Sequence, residues 1–152
     1  MSLKSGLLAA CASLALVTPA TAQEIEIHDP YARSASPMAK SGAAFMVIRN
    51  TGDAGDRLIG VDSAAARKVE LHTHRDEDGV MRMIHVEEGF ALPAGGEIRM
   101  QRGGRHVMMM GLTAPFEQGA TIPLTLVFET SGEITLDVPV DLERKPGHGH
   151  GH

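Results

Sequence analysis

Cysteine is nearly missing from this 152-residue chain: Cys11 stands alone. It falls in a stretch that reads as a leader, so the mature chain has none and no disulfide framework can staple it. Tryptophan is absent, tyrosine occurs once and phenylalanine four times. The core must therefore be aliphatic, with methionine among its fillers. Basic residues are not in excess; the formal net charge is −5. Phosphate recognition needs a basic face, so nucleic acid is not an expected partner. Beyond the leader, no apolar run approaches the roughly 20 residues a bilayer requires. There is no internal repeat and no long amphipathic helical pattern. With 43% hydrophobic and 22% charged residues, the composition suits one domain with an ordinary core.

The leader spans residues 1–22. Lys4 gives a short basic start, Gly6 to Val17 is largely apolar, and Ala20-Thr21-Ala22 fits a small-residue cleavage site. The mature chain then begins at Gln23 and carries no membrane span. A rival reading anchors the chain as a lipoprotein at Cys11, because Leu8-Ala9-Ala10-Cys11 resembles a lipobox; much of the apolar run lies after that cysteine, which counts against it. Residues 23–144 form the expected domain. Residues 145–152 form a polar tail ending His148-Gly149-His150-Gly151-His152.

Most of residues 23–144 read as short strands. Residues 24–33 suggest a strand, a turn at Asp29-Pro30 and another strand. Ala43 to Ile48 is a continuous apolar run, as expected of a strand buried on both faces. Leu58–Val61 is a short strand, and Ala64-Ala65-Ala66 suggests one helical turn. Lys68–His74 alternates, with Val69 and Leu71 inward and Glu70, His72 and His74 outward. Asp78-Gly79 is a strong hairpin signal, and Val80–Val86 alternates again with Met81, Met83 and His85 on one face. Residues 91–96 read as a loop and Glu97–Met100 as a strand, after which Gly103-Gly104 turns into Arg105–Leu112. Ile122–Phe128 and Ile134–Val140 alternate on either side of Ser131-Gly132. Many short strands at regular spacing argue for an antiparallel β-sandwich.

His72, Met83, His106 and Met108 stand out on these strands. Side chains two apart share a strand face, so His106 and Met108 look the same way, about 6.5–7 Å apart. If the hairpin is centred between Glu77 and Asp78, His72 opposes Met83, His74 opposes Met81, and Glu70 opposes His85. A tight Asp78-Gly79 turn instead pairs His74 with Met83 and leaves His72 diagonal to it. Imidazole with thioether is an unusual combination to point outward. Thioether is a soft donor that selects Cu(I) over Mg, Ca or Mn. Two nitrogens and two sulfurs, all neutral, make a tetrahedral Cu(I) site and leave the ion its positive charge, which Glu70, Asp76 or Asp78 can offset. Imidazole must lose its proton to bind, so affinity is expected to fall as pH drops toward about 6. Bland readings apply elsewhere. Met46, Met100 and Met109 are core filler, Met81 and Met110 pack at the core or its rim, and His28 is a solvated bystander. His74 and His85 stand between bystander and auxiliary ligand. The tail histidines His148, His150 and His152 suit Cu(II), Zn²⁺ or Ni²⁺.

The pattern His72-X10-Met83-X22-His106-X-Met108 resembles the copper motif of the periplasmic PCuAC copper chaperones. Supporting stretches are Val69-Glu70-Leu71-His72, Asp78 to Met83, Leu92-Pro93-Ala94-Gly95 and His106 to Leu112, and the resemblance covers roughly residues 25–140. One departure exists: the middle spacer is usually one residue shorter, and the extra residue is expected in the 101–105 loop. The resemblance implies a cupredoxin-like Greek-key sandwich holding Cu(I) near its surface, in the periplasm. It also implies delivery to a cytochrome c oxidase subunit, typically its CuA centre, together with a Sco-type thiol protein. Chaperones similar to this one can carry a His/Met-rich extension for a second, oxidised copper, which gives the tail a possible Cu(II) role.

Other functions fit less well. A blue-copper electron carrier needs a cysteine ligand. A histidine-brace monooxygenase needs histidine at the processed N-terminus, where Gln23 is expected. No Ser/His/Asp or paired-carboxylate arrangement is visible, so the chain is read as a non-enzyme. The rivals are an oxidase-assembly chaperone, a copper buffer or resistance protein with no specific client, and a metal-free sandwich module.

Overall fold

A computed structural model describes residues 24–146. The expected leader, Cys11 and the tail histidines His148, His150 and His152 lie outside the described residues. Ten strands follow in order: β1 (Ile25–Ser34), β2 (Ser41–Asn50), β3 (Asp56–Asp62), β4 (Ala66–Glu77), β5 (Val80–His85), β6 (Phe90–Leu92), β7 (Glu97–Arg99), β8 (His106–Leu112), β9 (Thr121–Phe128) and β10 (Gly132–Pro139). Among the described residues there is no helix.

The strands form two antiparallel sheets. One runs β1-β2-β8-β4-β5, with β7 also on β2; the other runs β10-β9-β3-β6. Period-two alternation decides what lies between them. Ala44, Met46 and Ile48 from β2, Leu71 from β4 and Val107 and Met109 from β8 face Leu58, Leu92, Leu124, Leu126, Phe128 and Val138 of the other sheet. Met46, Met100 and Met109 are buried, as core fillers should be. Each such side chain contributes about 1.5–3 kcal/mol on leaving water. Close packing also needs Gly42, where an added Cβ would sit 2.6 Å from the Phe116 ring.

Several local expectations are corrected. Residues 25–34 are one strand, not two joined by a turn. A bulge between His28 and Tyr31 absorbs Asp29, whose φ is 51°, and Pro30, which cannot donate to the ladder. Ala64–Ala66 make no helical turn. The hydroxyl of buried Ser63 accepts from the Ala65 amide at 3.1 Å and donates to the Pro123 carbonyl, so the chain turns straight into β4. The 91–96 loop begins later than expected, because Phe90–Leu92 forms β6 with Leu92 fully buried.

The hairpin register decides the site. β4 and β5 are joined by Asp78-Gly79, with φ of 55° and 80°, and closed by the pair Glu77–Val80. Two consecutive positive φ values fit the tight turn whose twist matches antiparallel strands. The centring between Glu77 and Asp78 is therefore wrong and the tighter alternative is right. His72 opposes His85, His74 opposes Met83, and Met81 opposes Asp76.

Candidate metal centre

Strands β4 and β8 are neighbours in the middle of the larger sheet, and their register sets His72 opposite His106 and Glu70 opposite Met108. On the outer face, His106 is thus flanked by Phe45 at 6.2 Å, His74 at 5.5 Å and His72 at 5.8 Å between ring centroids, and His85 lies 5.7 Å beyond His72. Two imidazoles sharing one ion at about 2.0 Å from each nitrogen place their centroids roughly 5–6.5 Å apart. The His72–His106 separation falls in that range. A cleft of about 310 Å³ opens beside them, and His74, Met83, His106 and Met108 line it. His72 is not part of that lining; it stands across His106. His28 is remote from the cluster and bonds Glu26 at 3.0 Å.

Both central histidines are held by one nitrogen and free at the other. Glu70 accepts from His72 Nε2 at 2.8 Å, leaving Nδ1 as the lone-pair nitrogen. The Gly104 carbonyl accepts from His106 Nδ1 at 2.9 Å, leaving Nε2 as the lone-pair nitrogen. His72 Nδ1 and His106 Nε2 are buried and have no hydrogen-bond partner in the protein. An unsatisfied buried polar atom costs about 1–3 kcal/mol, so two on facing residues point to a missing partner that accepts lone pairs. An outer carboxylate or carbonyl bracing an imidazole is the usual second layer of a metal site.

The electrostatics favour the same arrangement. Glu70 bonds Lys68 at 2.6 Å and His72 at 2.8 Å, with His85 at 3.6 Å. The Lys68 ammonium first, then His72, holds its carboxyl down at about 2. It is therefore an anion at neutral pH, close to where an incoming cation would sit. His106 is only 3% exposed. Burial pushes its pKa below the usual imidazole value, so it stays neutral and ready to coordinate.

Met83 differs from these groups: it lies on edge strand β5 and is 47% exposed. Met81, 57% exposed, is not rim packing but open to solvent at the hairpin end. Among the described residues, no three or more His, Cys, Asp and Glu side chains gather closely enough to hold an ion. A metal here needs thioethers as well as imidazoles. Sequence reasoning missed the direct His72–His106 opposition and the Gly104 carbonyl, which also accepts from His74 Nδ1 at 3.3 Å. Glu70 was legible as an electrostatic aid, and its parity with His72, two residues on, was the signal for its bracing role. The 101–105 segment closes on itself, with the Gln101 amide bonded to the Arg105 carbonyl at 3.0 Å, and His106 keeps its parity with Met108.

These features define an antiparallel β-sandwich that carries a histidine–methionine cluster on one outer face. A family model described as "Putative lipoprotein LpqE-like" matches residues 25–140, and the chain belongs to that family. A putative lipoprotein of Leifsonia xyli subsp. xyli is 38% identical over 98 residues, which is 64% of this chain and 59% of the relative. The chain thus spans less than two thirds of that relative's length. Among solved structures, the copper-bound PCuAC domain from PmoF2 is 30% identical with a TM-score of 0.64, over 78% of this chain and 93% of that one. The Cu(I) form of DR1885 from Deinococcus radiodurans is 27% identical with a TM-score of 0.60, over 83% and 85%. The fold is the cupredoxin-like sandwich of PCuAC domains.

Proposed function

We propose that this protein is an exported copper carrier that binds one Cu(I) ion between His72, Met83, His106 and Met108. The observation that carries this reading is the pair of orphaned nitrogens, His72 Nδ1 and His106 Nε2, on directly opposed residues. Met108 follows on the same face as His106, and Met83 lines the adjoining cleft. The likeness to PCuAC domains solved with copper supports it. His74, opposite Met83, and His85, beside Glu70, serve as auxiliary groups.

The arrangement suits carriage rather than catalysis. Neutral donors hold Cu(I) without quenching its charge, and Glu70 supplies a nearby anion. Met83 is the most exposed of the four ligands, so an incoming thiolate displaces it first and the buried His106 last. Stepwise exchange of this kind delivers copper to a thiol protein of Sco type and to the CuA centre of cytochrome c oxidase. The leader expected at residues 1–22 and the lipoprotein descriptions of relatives support export to the periplasm. The tail histidines His148, His150 and His152 hold a second, oxidised copper in this reading. Copper buffering with the same site and no specific client is the second reading, favoured by the exposure of Met83, which needs no particular partner to open it.

Anaerobic Cu(I) competition titration tests the site: one tight ion per mature chain is expected, and an unchanged affinity in His106→Ala would falsify it. Client delivery and buffering separate in a deletion strain. Loss of oxidase activity under copper limitation supports delivery. Normal oxidase with sensitivity to excess copper supports buffering.

A further inference from the structure

A second cleft, of about 500 Å³, opens beside the histidine–methionine cluster and is lined by Asp29, Tyr31, Arg99, Arg102, Arg144 and Lys145, among others. Its charge runs against that of the chain, which is −5 overall. Arg99 is already held by Glu97 at 2.6 Å, and Arg144 is bidentate on Asp29. Arg102 and Lys145 have no carboxylate within ion-pair distance among the described residues. Arg33 adds to the same rim: its guanidinium donates to the Arg144 carbonyl at 3.2 Å, and it lines the metal cleft.

The two clefts are adjacent. Arg102, on the turn before β8, lines both of them. A stack also connects them: the Arg144 guanidinium lies 4.2 Å over the Tyr31 ring, Tyr31 stacks on Phe45 at 5.1 Å, and Phe45 lies 6.2 Å from His106. A body seated among the arginines therefore abuts the cluster. The lining is concave and rich in guanidinium, whose planar fork matches carboxylates in pairs. A lipid surface is better met by protruding lysines on a convex face. The negative whole-molecule charge also disfavours long polyanions such as nucleic acid.

We propose that this cleft docks an acidic segment of the protein that exchanges copper with the cluster, its carboxylates meeting Arg102 and Lys145. The copper part of this statement rests on the carrier reading above; the docking part does not. Attraction between a basic rim and an acidic partner raises encounter rates by about 10–10³ and fades with salt. It also fixes orientation, so that the partner's thiols arrive at the exposed Met83 side of the site.

The test uses the mature protein, apo and Cu(I)-loaded, with a fluorescent hexaglutamate peptide as probe. Vesicles of equal phosphatidylglycerol and phosphatidylcholine provide a second probe. Saturable peptide binding is expected at low salt, lost by about 0.5 M salt, with amide shifts mapping to Arg102 and Tyr31. The double variant Arg102→Glu/Lys145→Glu is expected to weaken it about tenfold. A control that reverses two charges elsewhere, Arg57→Glu/Arg67→Glu, is expected to change it less than about twofold. Arg102→Gln/Lys145→Gln serves if charge reversal disturbs folding, and is expected to weaken binding in the same direction. Equal loss in the control, shifts that map elsewhere, no saturable peptide binding, or binding to vesicles in preference to the peptide each overturns the proposal. Cu(I) affinity is measured on the same samples. Failed docking with intact copper binding sinks this inference alone, whereas absent copper binding sinks the carrier reading whatever the peptide does.

Discussion

The β4–β8 half of the cluster and its β5 limb are built to different standards. His72 and His106 sit in the middle of a sheet, each braced from behind by an acceptor, one a carboxylate and the other a main-chain carbonyl. Met83 projects from an edge strand at the end of a hairpin, with Val80 and Met81 equally open to water. The histidines are preorganised and keep two nitrogens unsatisfied to remain so. The thioether makes no such demand, because sulfur is a weak acceptor and loses little by facing solvent. The proposed carrier role calls for both properties: in that reading the rigid half supplies selectivity and retention, and the loose half supplies a route in and out.

The largest expected effect breaks the rigid half. His106→Ala is predicted to lower Cu(I) affinity by about a hundredfold or more, since it removes a ligand and not merely its support; competition titration reads this. If Met83→Ala proves more damaging, the division into a holding half and a releasing half is wrong. Next comes the brace. Glu70→Ala leaves all four donors in place but frees His72 to rotate, and about a 10–100-fold loss of affinity is expected. An effect below about twofold would show that Glu70 contributes only charge at a distance. Third, Met83→Ala is expected to speed copper release to a thiol acceptor roughly tenfold, with Met81→Ala close to wild type, because differences among related complexes fall mostly on the off-rate. Stopped-flow transfer measurements separate the two methionines.

The smallest effect concerns the apo protein and pH. Burial holds His106 below its ordinary 6.5, so as pH falls under that value the unfolded chain takes up a proton the folded one resists, and stability drops. Glu70 acts lower down. Its carboxyl is held at about 2 against an ordinary 4.5, so its stabilisation is full above 4.5 and is lost as pH falls from there toward 2. Thermal melts of the apo protein should fall through both windows on acidification. His106→Ala should flatten the upper one and Glu70→Gln the lower.

Much of this was legible in the chain. Alternation along 68–74, 80–86 and 122–140 marked the strands, because a half-buried strand cannot conceal its period of two. The parity of His106 with Met108 followed from the same period. The apolar run 43–48 marked a strand covered on both sides, and Phe45 on its outer face is indeed buried, under Tyr31. The register of the hairpin was not fixed by pattern, since two centrings kept the same residues outward and only the backbone of Asp78-Gly79 chose between them. The bulge at Asp29 and the short strand at Phe90–Leu92 escaped notice because both depend on partner strands far along the chain.

The amino-acid order alone set the donor chemistry on offer: a chain whose sole cysteine falls in the expected leader, with histidine and methionine at matching strand parity, has soft neutral ligands and little else to offer a metal. What it could not determine is which donors meet. His72 and His106 are 34 positions apart in the numbering, and their opposition arises from the pairing of β4 with β8. The same holds for the Gly104 carbonyl and the arginine-lined cleft, which gather groups from both ends of the chain. Side-chain type is a local property, whereas proximity between distant segments is settled only when the sheets close over a shared core.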